Sequence, residues 1–308
     1  MVSPIERIKV ADVLKEPPVV MRVACVQLNS GIEVRSNLET IERQLKLAQT
    51  ANVDVVLLPE NFAQMPLSSR ERHCELWLPS HPDAEAPIQR FLNDAAARYK
   101  LTIIAGSVPI KQQSQQSKPF ARCMVINAEG TIVGHYDKLH LFDVDTGQLT
   151  YRESDDFEIG RLDQLGSTPA QNLVNVHSAD ASCLFGLTIC YDLRFPEIYR
   201  HLLSEGARVF TVPAAFTYET GMQHWQVLLR ARAIENQCYV VAAGQCGEHK
   251  TSNPERPRRT WGHSMVIDPR GEVIASLKHA EGLLIADIDL TKQDRARELF
   301  PVIGHRRM

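Results

Sequence analysis

Long apolar segments are missing from this sequence of 308 residues. Its longest apolar runs, such as VDVVLLP and CYVVAAG, are far shorter than the roughly 20 residues that a membrane-spanning helix needs. Residues 1–20 also lack the apolar stretch of a secretory signal, and they carry acidic side chains that mitochondrial presequences usually avoid. We therefore expect no transmembrane helix, a cytoplasmic location, and an N-terminal extension over residues 1–20 before a single domain over residues 21–308.

An excess of positive charge is missing as well. The 34 lysines and arginines are outnumbered by 37 aspartates and glutamates, which gives a formal net charge of −3. Such a chain has no broad positive field that would attract a phosphate backbone or an anionic membrane surface. Nucleic acids and membranes are therefore not expected as partners.

Paired cysteines are the third absence. The seven cysteines are an odd number, they are scattered along the chain, and no two of them form a CxxC motif. Zinc sites and redox pairs usually show closely spaced cysteines, and intramolecular disulfides use cysteines in pairs. The pattern predicts free thiols in a reducing cytosol, with neither disulfides nor zinc.

What the sequence does contain is a regular alternation of strand-like and helix-like segments. After the strand MRVACVQL, apolar residues recur at helical spacing in SNLETIERQLKLAQTA, and Ser36 is placed to cap that helix. A second helix is predicted from Pro87 to about Lys100, because proline suits a first helical turn. The same alternation returns in the second half, from SCLFGLTIC to GLLIADIDL.

The two halves also resemble each other. MVINAEGTIV matches MVIDPRGEVI, and ANVDVVLLPENF matches GARVFTVPAAF, in which Ala214 stands where the first half has Glu60. An internal duplication explains both matches, although turns that demand glycine can also look alike by chance.

Two β-rich halves bury their apolar surfaces best as two stacked sheets with helices outside. This arrangement is an α/β fold, a four-layer α-β-β-α sandwich. The competing fold is a single doubly wound sheet, but no GxGxxG motif follows the first strand.

Cys190 is the first candidate for chemistry. It ends the apolar run CLFGLTIC and precedes the polar segment YDLRFPE, so its side chain should emerge where a strand turns into a helix. The positive end of a helix beginning near Pro196 would favour a thiolate there. The competing interpretation is a buried packing cysteine, which we expect for Cys25, Cys123, Cys183 and Cys238.

A nucleophilic cysteine needs a base. Among the histidines, His140, His224 and His263 are candidates for a Cys-His hydrolase. Glu60, however, closes the strand VDVVLLPE, where partial desolvation should raise the pKa of its carboxyl group into the range of a general base. Lys138 ends the strand IVGHYDK and could offer an ammonium to an oxyanion. Taken singly, Glu60 or Lys138 could be an ordinary charged residue that ends a strand and is solvated.

Several segments resemble the signature segments of the nitrilase superfamily, in the family's order: LLPENF, YDKLHLFDVD, YRES, CYDLRFPE and TGMQHWQVLLRARAIENQCYVVAAGQCG. The resemblance runs from Met21 to about Arg307. It implies the four-layer sandwich, hydrolysis of non-peptide C–N bonds, no metal or organic cofactor, and a homodimer or larger homo-oligomer. It also implies a catalytic triad at Glu60, Lys138 and Cys190, with Glu153 as a second glutamate that positions the lysine and the substrate.

The implied chemistry is acyl transfer from a small-molecule amide. Glu60 takes the thiol proton, Cys190 attacks the amide carbon, and Lys138 stabilises the oxyanion together with the backbone N–H of Tyr191. Ammonia leaves, and water activated by Glu60 hydrolyses the thioester to a carboxylic acid.

Among the family's branches the sequence is most similar to the Nit branch, whose members include amidases of deaminated glutathione and ω-amidases of α-ketoglutaramate. Both substrates are 2-oxo acid amides, so a cation should bind their carboxylate. Arg194 is the candidate, and a salt bridge at the start of a helix is the alternative role. Thr217 stands where ω-amidases tend to have Asn, which favours deaminated glutathione over α-ketoglutaramate.

A third interpretation is a non-catalytic scaffold or signalling partner. A binding module has no need for a glutamate, a lysine and a cysteine at three strand ends, so the intact triad argues against it.

Overall fold

The computed structural model describes residues 18–80, 82, 85–145, 150–161, 173–178, 181–252 and 258–307. Most of the extension predicted over residues 1–20 lies outside these ranges. The first strand already begins at Val20, one residue before the predicted start of the domain.

Seven strands form the first sheet. Its order is β17-β1-β2-β4-β5-β6, with β3 beside β4. Strands β1, β2 and β4 are parallel to one another, while β17 and β5 flank them in the antiparallel sense. The strands are β1 (Val20–Gln27), β2 (Val55–Leu58), β3 (Glu75–Leu76), β4 (Thr102–Lys111), β5 (Phe120–Ile126), β6 (Ile132–Asp137) and β17 (Gly282–Asp289).

Six strands form the second sheet, in the order β16-β15-β12-β11-β10-β9. They are β9 (Leu173–His177), β10 (Ser182–Leu187), β11 (Val209–Ala214), β12 (Tyr239–Gly244), β15 (Met265–Ile267) and β16 (Val273–Ser276). Two hairpins complete the described strands: β7 (Asp143–Asp145) with β8 (Thr150–Arg152), and β13 (Cys246–His249) with β14 (Arg258–Trp261).

The second sheet repeats the path of the first. In each, one antiparallel strand borders three parallel strands, and an antiparallel hairpin closes the other edge. This correspondence is the one that the internal sequence similarity predicts.

The sheets stack against each other with helices on the outer faces. Along β1, Val23 and Cys25 belong to the core between the sheets, whereas Ala24 and Val26 pack with the helices α1 and α2. The four-layer α-β-β-α sandwich predicted from the sequence is therefore confirmed. The helices are α1 (Val34–Thr50), α2 (Pro87–Tyr99), α3 (Pro196–Ser204), α4 (Tyr218–Thr220), α5 (Gln226–Asn236) and α6 (Leu290–Leu299), with a π-helical turn at Gly221–Trp225.

Two predictions about helix ends have different outcomes. The helix expected from Pro87 is confirmed, and it ends at Tyr99. The prediction that Ser36 caps α1 is wrong, because the helix begins at Val34 and Glu33 occupies the cap position. Among the described helices, none has both the length and the apolar character required to cross a membrane.

Candidate active site

Three strand ends meet at one edge of the sandwich. Glu60 follows β2 by two residues, and Lys138 comes directly after β6. Strands β2 and β6 run in the same direction, so both side chains lie at the carboxyl edge of the first sheet. Cys190 follows β10 of the second sheet. The site therefore draws its groups from both sheets.

Cys190 sits on a sharp turn. The strand was expected to continue to the cysteine, but it ends at Leu187, and Cys190 begins a 3-10 turn that extends to Arg194. The backbone φ of Cys190 is +46°, an uncommon conformation for a residue other than glycine. Strained backbone conformations of this kind are often found at functional sites. Here the strained residue is a partly exposed cysteine at the tip of the turn.

The Lys138 ammonium lies between two carboxylates. Lys138 Nζ is 2.8 Å from Glu60 Oε1 and 2.9 Å from Glu153 Oε2. All three residues are buried, with exposed fractions of 2% for Lys138, 4% for Glu60 and 6% for Glu153, so water screens these contacts little. The sequence-predicted residues Glu60, Lys138, Glu153 and Cys190 are thus brought together.

Backbone groups fix the two carboxylates. Glu60 Oε2 accepts a hydrogen bond of 2.8 Å from the N–H of Ala215, and Glu153 Oε2 accepts one of 2.7 Å from the N–H of Phe142. Glu60 therefore contacts the lysine through one oxygen and a backbone donor through the other. Both oxygens of Glu153 contact the lysine, Oε1 at 3.0 Å and Oε2 at 2.9 Å, and Oε2 also accepts from the backbone.

The protonation states follow from burial and from the neighbouring charges. Burial alone would raise the pKa of Glu60, but the Lys138 charge and the hydrogen bonds from Lys138, the Cys190 thiol and Ala215 lower it below the usual value. The raised pKa expected from the sequence is therefore wrong, because the ammonium outweighs desolvation. Burial alone would lower the pKa of Lys138, but the charges of Glu153 and Glu60 raise it well above the ordinary range.

The pKa of the Cys190 thiol is shifted in the direction opposite to the one expected from the sequence, which favoured a thiolate. Burial of the Cys190 thiol and the adjacent Glu60 charge raise its pKa well above the ordinary value, and Lys138 offsets this only in part. The predicted thiolate is therefore not the resting form. The site holds a neutral thiol hydrogen-bonded to a carboxylate, next to an ammonium. This arrangement can transfer the thiol proton to Glu60 at the moment of attack.

Sequence reasoning missed a buried aspartate that ties the parts together. Asp192 Oδ2 accepts hydrogen bonds of 2.8 Å from the N–H of Ile189 and from the Tyr136 hydroxyl. Its other oxygen accepts from the N–H of His140 at 3.1 Å. Asp192 thus connects the turn that carries Cys190 with the residues around Lys138. In the sequence, the signal for this role of Asp192 was its position in the polar segment that follows Cys190.

The histidines considered as bases are engaged elsewhere. His140 Nδ1 lies 2.7 Å from Asp192 Oδ1, and His224 Nδ1 lies 3.3 Å from Arg194 Nη1. His263 Nδ1 lies 2.9 Å from a backbone carbonyl oxygen two residues earlier in the chain. These contacts give no support to a Cys-His arrangement, whereas a hydrogen bond does join Cys190 to Glu60.

Arg194 is the last residue of the turn that begins at Cys190, and aromatic rings surround its guanidinium. Its guanidinium is 5.8 Å from the ring centre of Tyr191 and 5.2 Å from that of Phe216. It forms no ion pair with a carboxylate of the described residues, so the alternative of a helix-start salt bridge is not observed there. Nη1 faces His224, and the aromatic contacts leave the other guanidinium donors available to an anion.

Thr217 has a local partner. Its hydroxyl lies 2.5 Å from that of Thr220, at the start of α4. Thr217 follows Phe216, so it is near the Arg194 side of the site, but the structure gives no hydrogen bond from it to Glu60, Lys138 or Cys190 among the described residues.

The remaining cysteines are not part of the site. All seven thiols are free, and Cys25, Cys123, Cys183 and Cys238 are buried in the core as predicted. Within the described ranges, no group of three or more histidines, cysteines or acidic residues is placed to hold a metal ion.

Comparison with known proteins gives a consistent result. The sequence profile of the carbon-nitrogen hydrolase family matches residues 22–298. A deaminated glutathione amidase of Yersinia enterocolitica is 37% identical over 287 residues, covering 92% of each chain, and one of Rattus norvegicus is 44% identical over 92% of this chain and 82% of its own. The crystal structure of the Caenorhabditis elegans NitFhit protein superposes with a TM-score of 0.80 at 32% identity. That alignment covers 95% of this chain and 66% of the longer C. elegans chain.

Proposed function

Because the chain belongs to the carbon-nitrogen hydrolase family, and so hydrolyses amide C–N bonds, we propose that Glu60, Lys138 and Cys190 are its catalytic triad. The observation that supports this most strongly is the buried contact of the Lys138 ammonium with Glu60, which is itself hydrogen-bonded to the Cys190 thiol. We assign Glu153 to positioning, because it holds the lysine from the other side.

Acylation begins from the neutral thiol. As Cys190 Sγ attacks the carbonyl carbon, its proton passes to Glu60, and the carbonyl oxygen becomes an oxyanion. The Lys138 ammonium and the backbone N–H of Tyr191 stabilise that charge. Glu60 then gives the proton to the amide nitrogen as the C–N bond breaks. The nitrogen leaves as ammonia from a primary amide and as an amine from a substituted amide.

Deacylation uses the same groups. Glu60 takes a proton from water as the water oxygen attacks the thioester carbon, and Lys138 again faces the oxyanion. The C–S bond breaks, the sulfur recovers the proton from Glu60, and the carboxylic acid leaves. A carboxylate with a lowered pKa suits both steps, since it is ionised at neutral pH and never has to lose a proton before it can act.

We further propose a 2-oxo acid amide as the substrate, with deaminated glutathione preferred. The support is the similarity to amidases of that name and the Arg194 guanidinium at the end of the turn that begins with Cys190. We propose that it binds the carboxylate of the 2-oxo acid. Thr217 lies next to the same segment and is proposed to contribute to the shape of the pocket. The alternative substrate is α-ketoglutaramate.

A substrate panel tests this proposal. Purified protein would be given deaminated glutathione, α-ketoglutaramate, a nitrile and an N-carbamoyl amino acid at equal concentration, with the released acid and amine both quantified. We expect the highest kcat/KM for deaminated glutathione. A preference for the nitrile or the carbamoyl compound would overturn the proposed substrate class, and a preference for α-ketoglutaramate would select the alternative.

We also propose a reducing, cytoplasmic setting and a homodimer or larger assembly. The seven free thiols, one of them the proposed nucleophile, support the first. Exposed apolar side chains at one end of α5 and in the C-terminal segment support the second: Ile234, Leu299 and Phe300 are 47%, 66% and 68% exposed. Light scattering of the purified protein would measure the assembly, and a monomer at micromolar concentration would contradict it.

A further inference from the structure

The two candidate substrates differ only on the side of the leaving amine. Deaminated glutathione and α-ketoglutaramate carry the same acyl group, a 2-oxo diacid joined through its far carboxyl carbon. α-Ketoglutaramate loses ammonia, whereas deaminated glutathione loses a dipeptide that ends in a carboxylate. A cation that binds the 2-oxo acid, as proposed for Arg194, cannot tell them apart. A second cation near the leaving amine would tell them apart, because only the dipeptide brings a carboxylate there, and this inference rests on the proposed function.

The β13–β14 hairpin presents such a cation. Arg258 is paired with His249 across the hairpin, so the two side chains share one face. On that face His249 Nε2 lies 2.7 Å from Thr260 Oγ1, and His249 Nδ1 lies 3.1 Å from the carbonyl oxygen of Ser30. The Ser30 hydroxyl in turn donates to the carbonyl of Phe62, two residues after Glu60. This face of the hairpin thus packs on the loop of Ser30, which in turn contacts the loop that carries the proposed base.

A second attachment joins the hairpin to residues 215–217, on the Arg194 side of the site. The N–H of Trp261 donates to the carbonyl of Phe216 at 2.9 Å, and Thr260 forms a bridge with Thr217. Residues 215–217 are the segment whose first N–H holds Glu60 and whose phenylalanine ring contacts Arg194. The hairpin is therefore anchored to both sides of the catalytic glutamate.

Tyr151 lies close enough to Arg258 and Glu153 to respond to the charge of both. The Tyr151 ring lies 5.9 Å from that of Phe142, whose N–H binds Glu153. Burial raises the pKa of Tyr151. The Arg258 guanidinium is the charge that lowers this pKa most, and the Glu153 carboxylate raises it further. Arg258 is partly exposed and forms no ion pair with a carboxylate among the described residues.

We propose that Arg258 binds the terminal carboxylate of the leaving dipeptide and thereby selects a dianionic amide over one that releases ammonia. Its planar fork can bind both oxygens of a carboxylate, and the attachments of the hairpin to Ser30 and Phe216 fix the backbone that carries it. In this arrangement Arg194 recognises the acyl half of the substrate, and Arg258 recognises the amine half.

The test combines a protein variant with a change in the substrate. Arg258→Gln and wild type would be assayed on deaminated glutathione, on its C-terminal carboxamide analogue and on α-ketoglutaramate. We expect Arg258→Gln to lower kcat/KM for deaminated glutathione by about tenfold or more, mainly through KM, because a charge-assisted contact is lost. Hydrolysis of α-ketoglutaramate should stay within about twofold of wild type, since its amine half has no carboxylate.

The carboxamide analogue gives the decisive comparison. Wild type should prefer the acid over the carboxamide, and Arg258→Gln should lose that preference. The matched control is Arg259→Gln, on the opposite face of the same strand, where the exposed guanidinium lies 4.1 Å from the Tyr218 ring centre. The control should keep the wild-type preference.

Two results would overturn the inference in distinguishable ways. If Arg258→Gln still prefers the acid, or loses the same activity on all three amides, Arg258 has no role in recognition although the proposed function stands. If wild type cleaves neither 2-oxo acid amide, the proposed function fails and this assignment fails with it.

Discussion

The backbone N–H of Ala215 donates a hydrogen bond of 2.8 Å to Glu60 Oε2. In the alignment of the two halves, Glu60 corresponds to Ala214, the residue immediately before this donor. The half that lacks the acid therefore supplies the amide that orients it. Since the contact crosses from one sheet to the other, the direction of the proposed base depends on the packing of the whole sandwich.

Glu60→Gln tests the base. Glutamine keeps the size of the side chain but cannot accept the thiol proton, so acylation and thioester hydrolysis should both fail. We expect kcat/KM to fall by at least about a hundredfold in steady-state assays, with the fold retained by circular dichroism. Activity within about tenfold of wild type would show that Glu60 is not the base.

Lys138→Met tests the ammonium between the two carboxylates. Without the cation, Glu60 and Glu153 are buried as uncompensated charges, which should cost about 3–5 kcal/mol of unfolding free energy in urea titrations. The rate should fall by about a hundredfold or more, because oxyanion stabilisation is lost.

Adding Glu153→Gln to Lys138→Met separates stability from catalysis. The double variant should recover part of the lost stability, because it removes one carboxylate, but it should recover no activity. Lys46→Met, at an exposed lysine of α1, is the control and should change neither. A double variant less stable than Lys138→Met alone would contradict the charge arrangement.

The pH dependence follows from the directions of the pKa shifts. Glu60 must be ionised to accept a proton, and because its pKa is lowered from 4.5, activity is lost only as the pH falls below that value. Lys138 must be protonated, and because its pKa is raised well above 10.5, it stays charged in any practical buffer. We expect kcat/KM to be flat from about pH 5 to about pH 9. A limb near about pH 6.5 would indicate a catalytic histidine instead.

Arg194→Lys tests recognition of the acyl half. Lysine keeps the charge but loses the planar fork, so kcat/KM for deaminated glutathione should fall by about tenfold or more, with a larger fall for Arg194→Ala. A simple uncharged amide should be affected much less. Equal losses on charged and uncharged amides would mean that Arg194 only supports the turn after Cys190.

Much of the site could be predicted because its residues end visible patterns. Glu60 and Cys190 close apolar runs and Lys138 ends a strand-like segment, which marks them as candidates, and the resemblance to the nitrilase superfamily implies that they act together. The four layers were likewise visible in the repeated segments of the two halves. The layers needed only local order along the chain, whereas the grouping of the catalytic candidates needed the family resemblance.

The rest depended on contacts between distant parts of the chain. The lowered pKa of Glu60 comes from Lys138, 78 residues away, and no local pattern reveals that contact. Asp192 reads as an ordinary polar residue after Cys190 until the fold places Tyr136 against it. The β13–β14 hairpin was missed because its strands have only four residues each and are largely polar.

The central claim is that Cys190 carries the acyl group, and intact-protein mass spectrometry tests it most directly. Enzyme quenched with acid during turnover of deaminated glutathione would be measured whole and then mapped by peptide. The account predicts the mass of the 2-oxo acyl group on the peptide that contains Cys190, and no adduct in Cys190→Ala, which should be folded and inactive. An adduct on Cys183, or turnover by Cys190→Ala at the wild-type rate, would contradict it.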